Sequence, residues 1–196
     1  MMHLVELSPT TYDPTLEWGD EVQYCPNRFP QHATITWDDI VPIWQEERNN
    51  DHLRMLTPPN EMVVENKIIY EGYSENPDRG TEYDRQYVMP TIVTHTKANL
   101  NDRVKQIYEN EARSIKLENL HIYSNVMAES YVFKSHCDGH CVFLVQCIGM
   151  SEYTFEDGSC HQLQPGDGLY IPRGIYHAPR VFGPRVTFSY NWHYLR

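Results

Sequence analysis

Two short segments of this 196-residue chain concentrate side chains that bind metals. The first, His136-Cys137-Asp138-Gly139-His140-Cys141, sets imidazoles, a carboxylate and thiols side by side. The second, Gly166-Asp-Gly-Leu-Tyr-Ile-Pro172-Arg-Gly174-Ile-Tyr-His177, reads as a glycine turn that opens a strand, a Pro-Gly turn, and a histidine delivered after it. Imidazole and carboxylate together suit a divalent transition metal, and a histidine held by rigid turns makes a ready ligand. Alone, His136 and Asp138 would read as a surface histidine and a turn aspartate; His177 reverses that reading. A structural zinc centre from Cys137, Cys141, His136 and His140 fits poorly, because there is no Cys-x2-Cys pair and the remaining cysteines fall on strand positions.

The second segment resembles the second conserved motif of the cupin superfamily, G-x5-P-x-G-x2-H, at Gly166, Pro172, Gly174 and His177. The first cupin motif, H-x-H-x3-4-E-x6-G, lies without a gap on His136, Asp138, Val142 and Gly149. Asp138 replaces the second histidine of that pattern, and Val142 replaces its glutamate. The resemblance implies a metal set of His136, Asp138 and His177, a 2-His-1-carboxylate facial triad with open positions for non-haem Fe(II) oxygen chemistry. His140 matches no ligand position in this register. The two segments with their surroundings are similar to the JmjC and cupin-like hydroxylase branch, whose members are Fe(II)- and 2-oxoglutarate-dependent oxygenases. This similarity covers the last third to half of the chain, and two separately spaced motifs are more specific than either alone.

Such oxygenases hold 2-oxoglutarate on iron by its 2-oxo acid end and neutralise the distal carboxylate with a Lys or Arg. In the JmjC-like branch that cation commonly lies two residues after the glycine matched by Gly149, where this chain has Ser151. Arg185, eight residues beyond His177 and followed by Thr187, resembles the R-x-S arrangement of other 2-oxoglutarate oxygenases. A guanidinium can grip a carboxylate with two bonds, whereas Ser151 offers one. Lys134 is the other candidate cation, and an exposed surface charge is the plain alternative for both. JmjC-like barrels also carry an inward polar residue, often Asn, near the end of this strand, a place held here by Asn191.

Positioning these groups falls to short strands parted by turns rich in Gly, Pro and Asp. Strands are expected over Leu120–Met127, Cys141–Ile148, Ser151–Phe155, Cys160–Leu163, Gly168–Ile171, Ile175–His177 and Arg185–Trp192. Strand parity would put Val142, Leu144, Gln146 and Ile148 on one face, which looks into the barrel in the cupin register. Gln146 then needs a partner, either a cosubstrate or another core side chain. Upstream, Thr36 can cap a helix through Trp37, Ile40, Ile43 and Trp44, and Asn99 a second with a stripe of Leu100, Val104, Ile107, Tyr108 and Ile115. Both are expected outside the barrel. The polar stretch from Tyr73 to Tyr83 reads as a long loop, either a lid or a solvated linker.

The expected fold is mainly β: a cupin double-stranded β-helix (jelly-roll) barrel with a few flanking α-helices from the N-terminal half. Residues 1–196 are expected to form a single domain, with 1–115 a helical and irregular flank and 116–196 the barrel core. A net charge of −11 argues against nucleic acid as a partner. No apolar run is long enough for a membrane span, and the start has neither a basic leader nor an apolar core, so a cytoplasmic protein is expected. Five cysteines suggest no disulfide framework. The leading functional reading is a 2-oxoglutarate-dependent hydroxylase using O2, acting on a protein side chain or a small molecule, with a homodimer compatible. The alternatives are a cupin metal dioxygenase that does not use 2-oxoglutarate and a non-catalytic ligand-binding cupin.

Overall fold

The computed structural model describes residues 15–49, 53–57, 62–65, 91–94, 100–115, 119–127, 130 and 132–192. The stretch from Tyr73 to Tyr83 and the expected cap Asn99 lie outside these residues. In order, the chain forms α1 (Thr15–Trp18), β1 (Gln23–Cys25), a 3-10 turn at His32–Thr34, α2 (Trp37–Asn49), β2 (Leu53–Thr57), β3 (Met62–Glu65) and β4 (Thr91–Thr94). There follow α3 (Asp102–Ile115), β5 (Asn119–Asn125), β6 (Val142–Ile148), β7 (Ser151–Phe155), β8 (Cys160–Leu163), β9 (Gly168–Ile171), β10 (His177–Val181) and β11 (Arg185–Asn191).

These strands make two antiparallel sheets flanked by helices. The larger has the order β1-β9-β6-β11-β5-β4-β2-β3 and the smaller β10-β7-β8. The expected closed barrel is not formed among the described residues. The N-terminal half is more than a helical flank, since β1 to β4 all join the larger sheet. No helix among the described residues is long and apolar enough to cross a membrane.

Alternation along the strands sorts the core into two layers. Val142, Leu144, Leu169 and Ile171 of the larger sheet meet Tyr153, Phe155 and Leu163 of the smaller one. The intervening residues Phe143, Val145, Tyr170, Phe188 and Tyr190 face the other way and pack with Ile40 and Ile43 of α2 and Val104, Ile107 and Tyr108 of α3. The helices therefore cover the face of the sheet opposite the smaller sheet, which agrees with their expected place outside the strands.

Both helix starts are held by side chains. The Thr36 backbone N–H donates to Asp39 Oδ2 at 2.8 Å, which is half of a capping box. The second helix is capped by Asn101, not Asn99: its Oδ1 accepts from the Val104 N–H at 3.0 Å. The same amide donates from Nδ2 to the Asp39 carbonyl at 2.6 Å and so pins α3 to α2.

Two local departures from regular strands shape the site. The β6–β11 register slips between Val186, opposite Ile148, and Thr187, opposite Gln146, so Cys147 is an extra residue on β6. The expected parity therefore holds for Val142, Leu144 and Gln146 but fails at Ile148, which packs in the helix-side layer. Next to the bulge, Gly149 turns the chain at φ +67°, and a Cβ there would lie 2.0 Å from the Pro184 carbonyl oxygen. The β6–β7 turn thus rests directly on the backbone that begins β11.

Candidate metal centre

The two segments with metal-binding side chains pair with each other through their backbones. The His136 N–H donates to the His177 carbonyl at 3.1 Å and the His177 N–H donates to the His136 carbonyl at 2.8 Å. The Gly174 N–H also donates to the Asp138 carbonyl at 2.9 Å. Residues 172–176 are therefore spent on a turn, with the Ile175 N–H returning to the Pro172 carbonyl, and β10 begins at His177 instead of Ile175. This arrangement gathers ligand atoms of His136, Asp138 and His177 within 4.8 Å of one another. Asp138 Oδ2 is 3.8 Å from His177 Nε2, and the two imidazole rings have centroids 4.5 Å apart. Among the described residues no other group of His, Cys, Asp and Glu comes together in this way.

Backbone carbonyls orient both imidazoles. His136 Nδ1 lies 2.8 Å from the Lys134 carbonyl, and His177 Nδ1 lies 3.1 Å from the Ile175 carbonyl. A carbonyl only accepts, so each Nδ1 carries the proton and each Nε2 presents a lone pair. Burial pushes the pKa of His177 down, assisted by His136 and opposed by the Ile175 hydrogen bond and Asp138. The ring is thereby held neutral, the form that ligates a metal. Phe133 packs on His136, and Phe155 and Tyr153 stand against His177. The donor set is that of a facial triad with apolar surroundings, and it fits a divalent first-row metal.

Below the triad lies a cavity of 140 Å³ whose walls include Tyr123, Phe133, Leu144, Tyr153, Pro179 and Arg185. Arg185 is 3% exposed. Its Nε donates to Asn125 Oδ1 at 2.8 Å and its Nη1 to Thr187 Oγ1 at 2.7 Å. Burial lowers its pKa, while the neighbouring Tyr153 and Tyr123 hydroxyls act to raise it. Among the described residues no carboxylate lies within ion-pair distance of this guanidinium. A buried cation with no counter-ion is costly by several kcal/mol, which makes the cavity receptive to an anion.

Chains similar to this one in structure are found among solved oxygenases. The crystal structure of Escherichia coli ribosomal oxygenase YcfD matches 89% of this chain with a TM-score of 0.64 at 17% identity. The same protein in complex with cobalt and 2-oxoglutarate matches 90% with a TM-score of 0.63 at 16% identity, and in complex with cobalt and succinic acid 83% with a TM-score of 0.58 at 17%. The chain has a JmjC/cupin-like fold. It spans about half the length of these relatives, at 48%, 49% and 44% of each. No protein-family model matches the sequence, and no curated protein matches it.

The other expected site residues fall into three groups. Gln146, Ser151 and Thr187 are buried beside Arg185 and hydrogen-bonded to one another. Asn191 is buried at the opposite end of β11, with neither Nδ2 nor Oδ1 partnered among the described residues. Lys134 is exposed, and its carbonyl lies 2.8 Å from His136 Nδ1. Sequence reasoning missed Asn125, Tyr123 and Tyr153. Asn125 sits directly across from Arg185 in the β5–β11 register, a pairing that a single sequence does not reveal.

Proposed function

We propose that this chain forms the catalytic core of an Fe(II)- and 2-oxoglutarate-dependent oxygenase, built on a cupin-type jelly roll. The observation that carries this reading is the buried Arg185, with no counter-ion among the described residues, in the same cavity as the His136–Asp138–His177 triad. Fe(II) would be held by Nε2 of both histidines and by the Asp138 carboxylate. When bound, it supplies the redox chemistry that couples O2 and a 2-oxo acid to oxidation of a substrate C–H bond.

The remaining work belongs to the protein's own side chains. Arg185 would take the distal carboxylate of 2-oxoglutarate with its unspent N–H groups, which a cation buried with only neutral partners among the described residues favours strongly. Leu144, Phe133 and Tyr153 line the space between and exclude water. The Asn191 amide would complete its unmet hydrogen bonds with bound ligand or water; left unmet, a buried polar group costs about 1–3 kcal/mol. The neutral Ser151 would favour a dioxygenase that does without 2-oxoglutarate, but Arg185 supplies the cation from a different strand. The substrate is a protein side chain or a small molecule, and O2 is the oxidant.

Anaerobic titration with Fe(II), with and without 2-oxoglutarate, tests the reading. A metal-to-ligand charge-transfer band that needs both additions, followed by succinate formation on admitting O2, is the expected result. Normal iron binding with no such band would replace it with the dioxygenase that does not use 2-oxoglutarate.

A further inference from the structure

Arg185 is tethered by a chain of hydrogen bonds in which each proton has one place to go. Arginine only donates, so the Thr187 hydroxyl accepts from Nη1 and must spend its own proton elsewhere. It does so on Gln146 Oε1, 2.9 Å away. The Ser151 hydroxyl donates to the same oxygen at 2.7 Å, so both lone pairs of Oε1 are filled. The amide cannot flip, because Gln146 Nε2 donates to the Ile148 carbonyl at 2.7 Å across the β6 bulge. On the other side of the guanidinium, Asn125 accepts from Nε and is itself fixed by donating to the Met127 and Gly183 carbonyls. None of these partners carries charge.

We propose that Thr187, Gln146 and Ser151 are positioning residues, which fix the rotation of the Arg185 guanidinium so that its remaining donors meet the distal carboxylate of a dicarboxylic 2-oxo acid. The inference rests on the reading of Arg185 as the cosubstrate's cation. It gives these three residues a task other than touching the cosubstrate themselves, and it explains why a neutral residue stands at 151. A carboxylate among the tethers would satisfy Arg185 internally and compete with the ligand. A second cation at 151 would place like charges together.

The test compares the affinity of the Fe(II)-loaded protein, without O2, for 2-oxoglutarate and for 2-oxopentanoate, which lacks the distal carboxylate. Thr187→Val removes the tether and should weaken 2-oxoglutarate about ten-fold while leaving 2-oxopentanoate unchanged; Thr187→Ser should restore it. Ser151→Ala, a mild change that keeps the fold, should give a smaller loss, about three-fold, with the same selectivity. Equal weakening of both acids, or wild-type 2-oxoglutarate binding in Thr187→Val and Ser151→Ala, would overturn the proposal. Arg185→Ala is the separate control: if it binds 2-oxoglutarate as the wild type does, the reading of Arg185 itself fails, and the positioning role with it.

Discussion

His136 and His177 exchange both of their backbone hydrogen bonds, so the two histidines of the triad form one antiparallel pair. His136 lies outside the named strands, His177 opens β10, and the pair spans the two motif segments. Its consequence is a ligand set whose spacing is fixed by main chain before any metal arrives, with side-chain tautomers fixed by the Lys134 and Ile175 carbonyls. Such preorganisation means that removing a ligand should affect metal affinity far more than fold.

Asp138→Ala should therefore abolish tight Fe(II) binding. The loss should exceed the roughly 10–100-fold that follows removal of an outer hydrogen-bond partner of a ligand. Equilibrium metal titration reads the affinity, and circular dichroism should show the fold intact, since the Gly174 contact uses the backbone of Asp138. Tight iron binding by the variant would show that the triad is misassigned.

Arg185→Met should separate stability from ligand binding. It removes a buried charge that has no counter-ion among the described residues, while leaving Asn125 and Thr187 each one donor short. The several kcal/mol of relieved desolvation offsets the about 2–6 kcal/mol of the two unmet neutral groups together. Without ligand the variant should melt no lower than the wild type, and the upward shift in Tm that 2-oxoglutarate gives the iron-loaded wild type should vanish. A clear drop in the unliganded Tm would mean that Arg185 is mainly a structural group.

Acid should weaken the fold through His32. This residue is fully buried against Phe29, Phe188 and Tyr190, with Nε2 2.5 Å from the Tyr190 hydroxyl. Burial pushes its pKa down from 6.5 to about 3. Between those values the unfolded chain binds a proton that the folded chain refuses, so the contribution is whole above 6.5 and drains away as pH falls towards 3. The full shift corresponds to at most about 5 kcal/mol. Urea midpoints measured from pH 7 to pH 4 should fall, and should fall less steeply in His32→Gln; parallel slopes would rule the assignment out.

Gly149→Ala should be among the most damaging single changes to the sheet. It combines a positive φ with a Cβ 2.0 Å from the Pro184 oxygen, for an expected loss of roughly 2–5 kcal/mol in denaturant unfolding. Because the displaced backbone is the start of β11, 2-oxoglutarate affinity should suffer more than iron affinity in whatever variant protein remains folded. Equal losses in both would detach the turn from Arg185.

The triad was legible in the sequence because two turn-defined motifs that resemble the cupin pattern mark His136, Asp138 and His177, independently of long-range register. The place of Arg185 on the last strand was legible from local pattern: alternation separates Arg185, Thr187, Ser189 and Asn191 from Val186, Phe188 and Tyr190. What was not legible depends on pairings between distant strands. Asn125 acquires its role only from facing Arg185, and Ile148 changes face only because Cys147 is extra relative to β11. The cap at Asn101 was hidden likewise, since its advantage over Asn99 lies in its bond to Asp39 on another helix. Strands β1 and β4 were missed because their pairing partners, β9 and β5, lie in the second half of the chain, and β2 and β3 join the sheet only through β4.

The backbone pairing of His136 with His177 also sets a timetable for synthesis. A nascent chain that has emerged only through β6 carries His136 and Asp138 but no partner to hold them. The intervening strands and the Pro172–Gly174 turn must leave the ribosome before the clasp can close, and Arg185 comes later still. A metal held by all three ligands would thus be captured only after the strands between the two motifs have been made, and it could not template their folding.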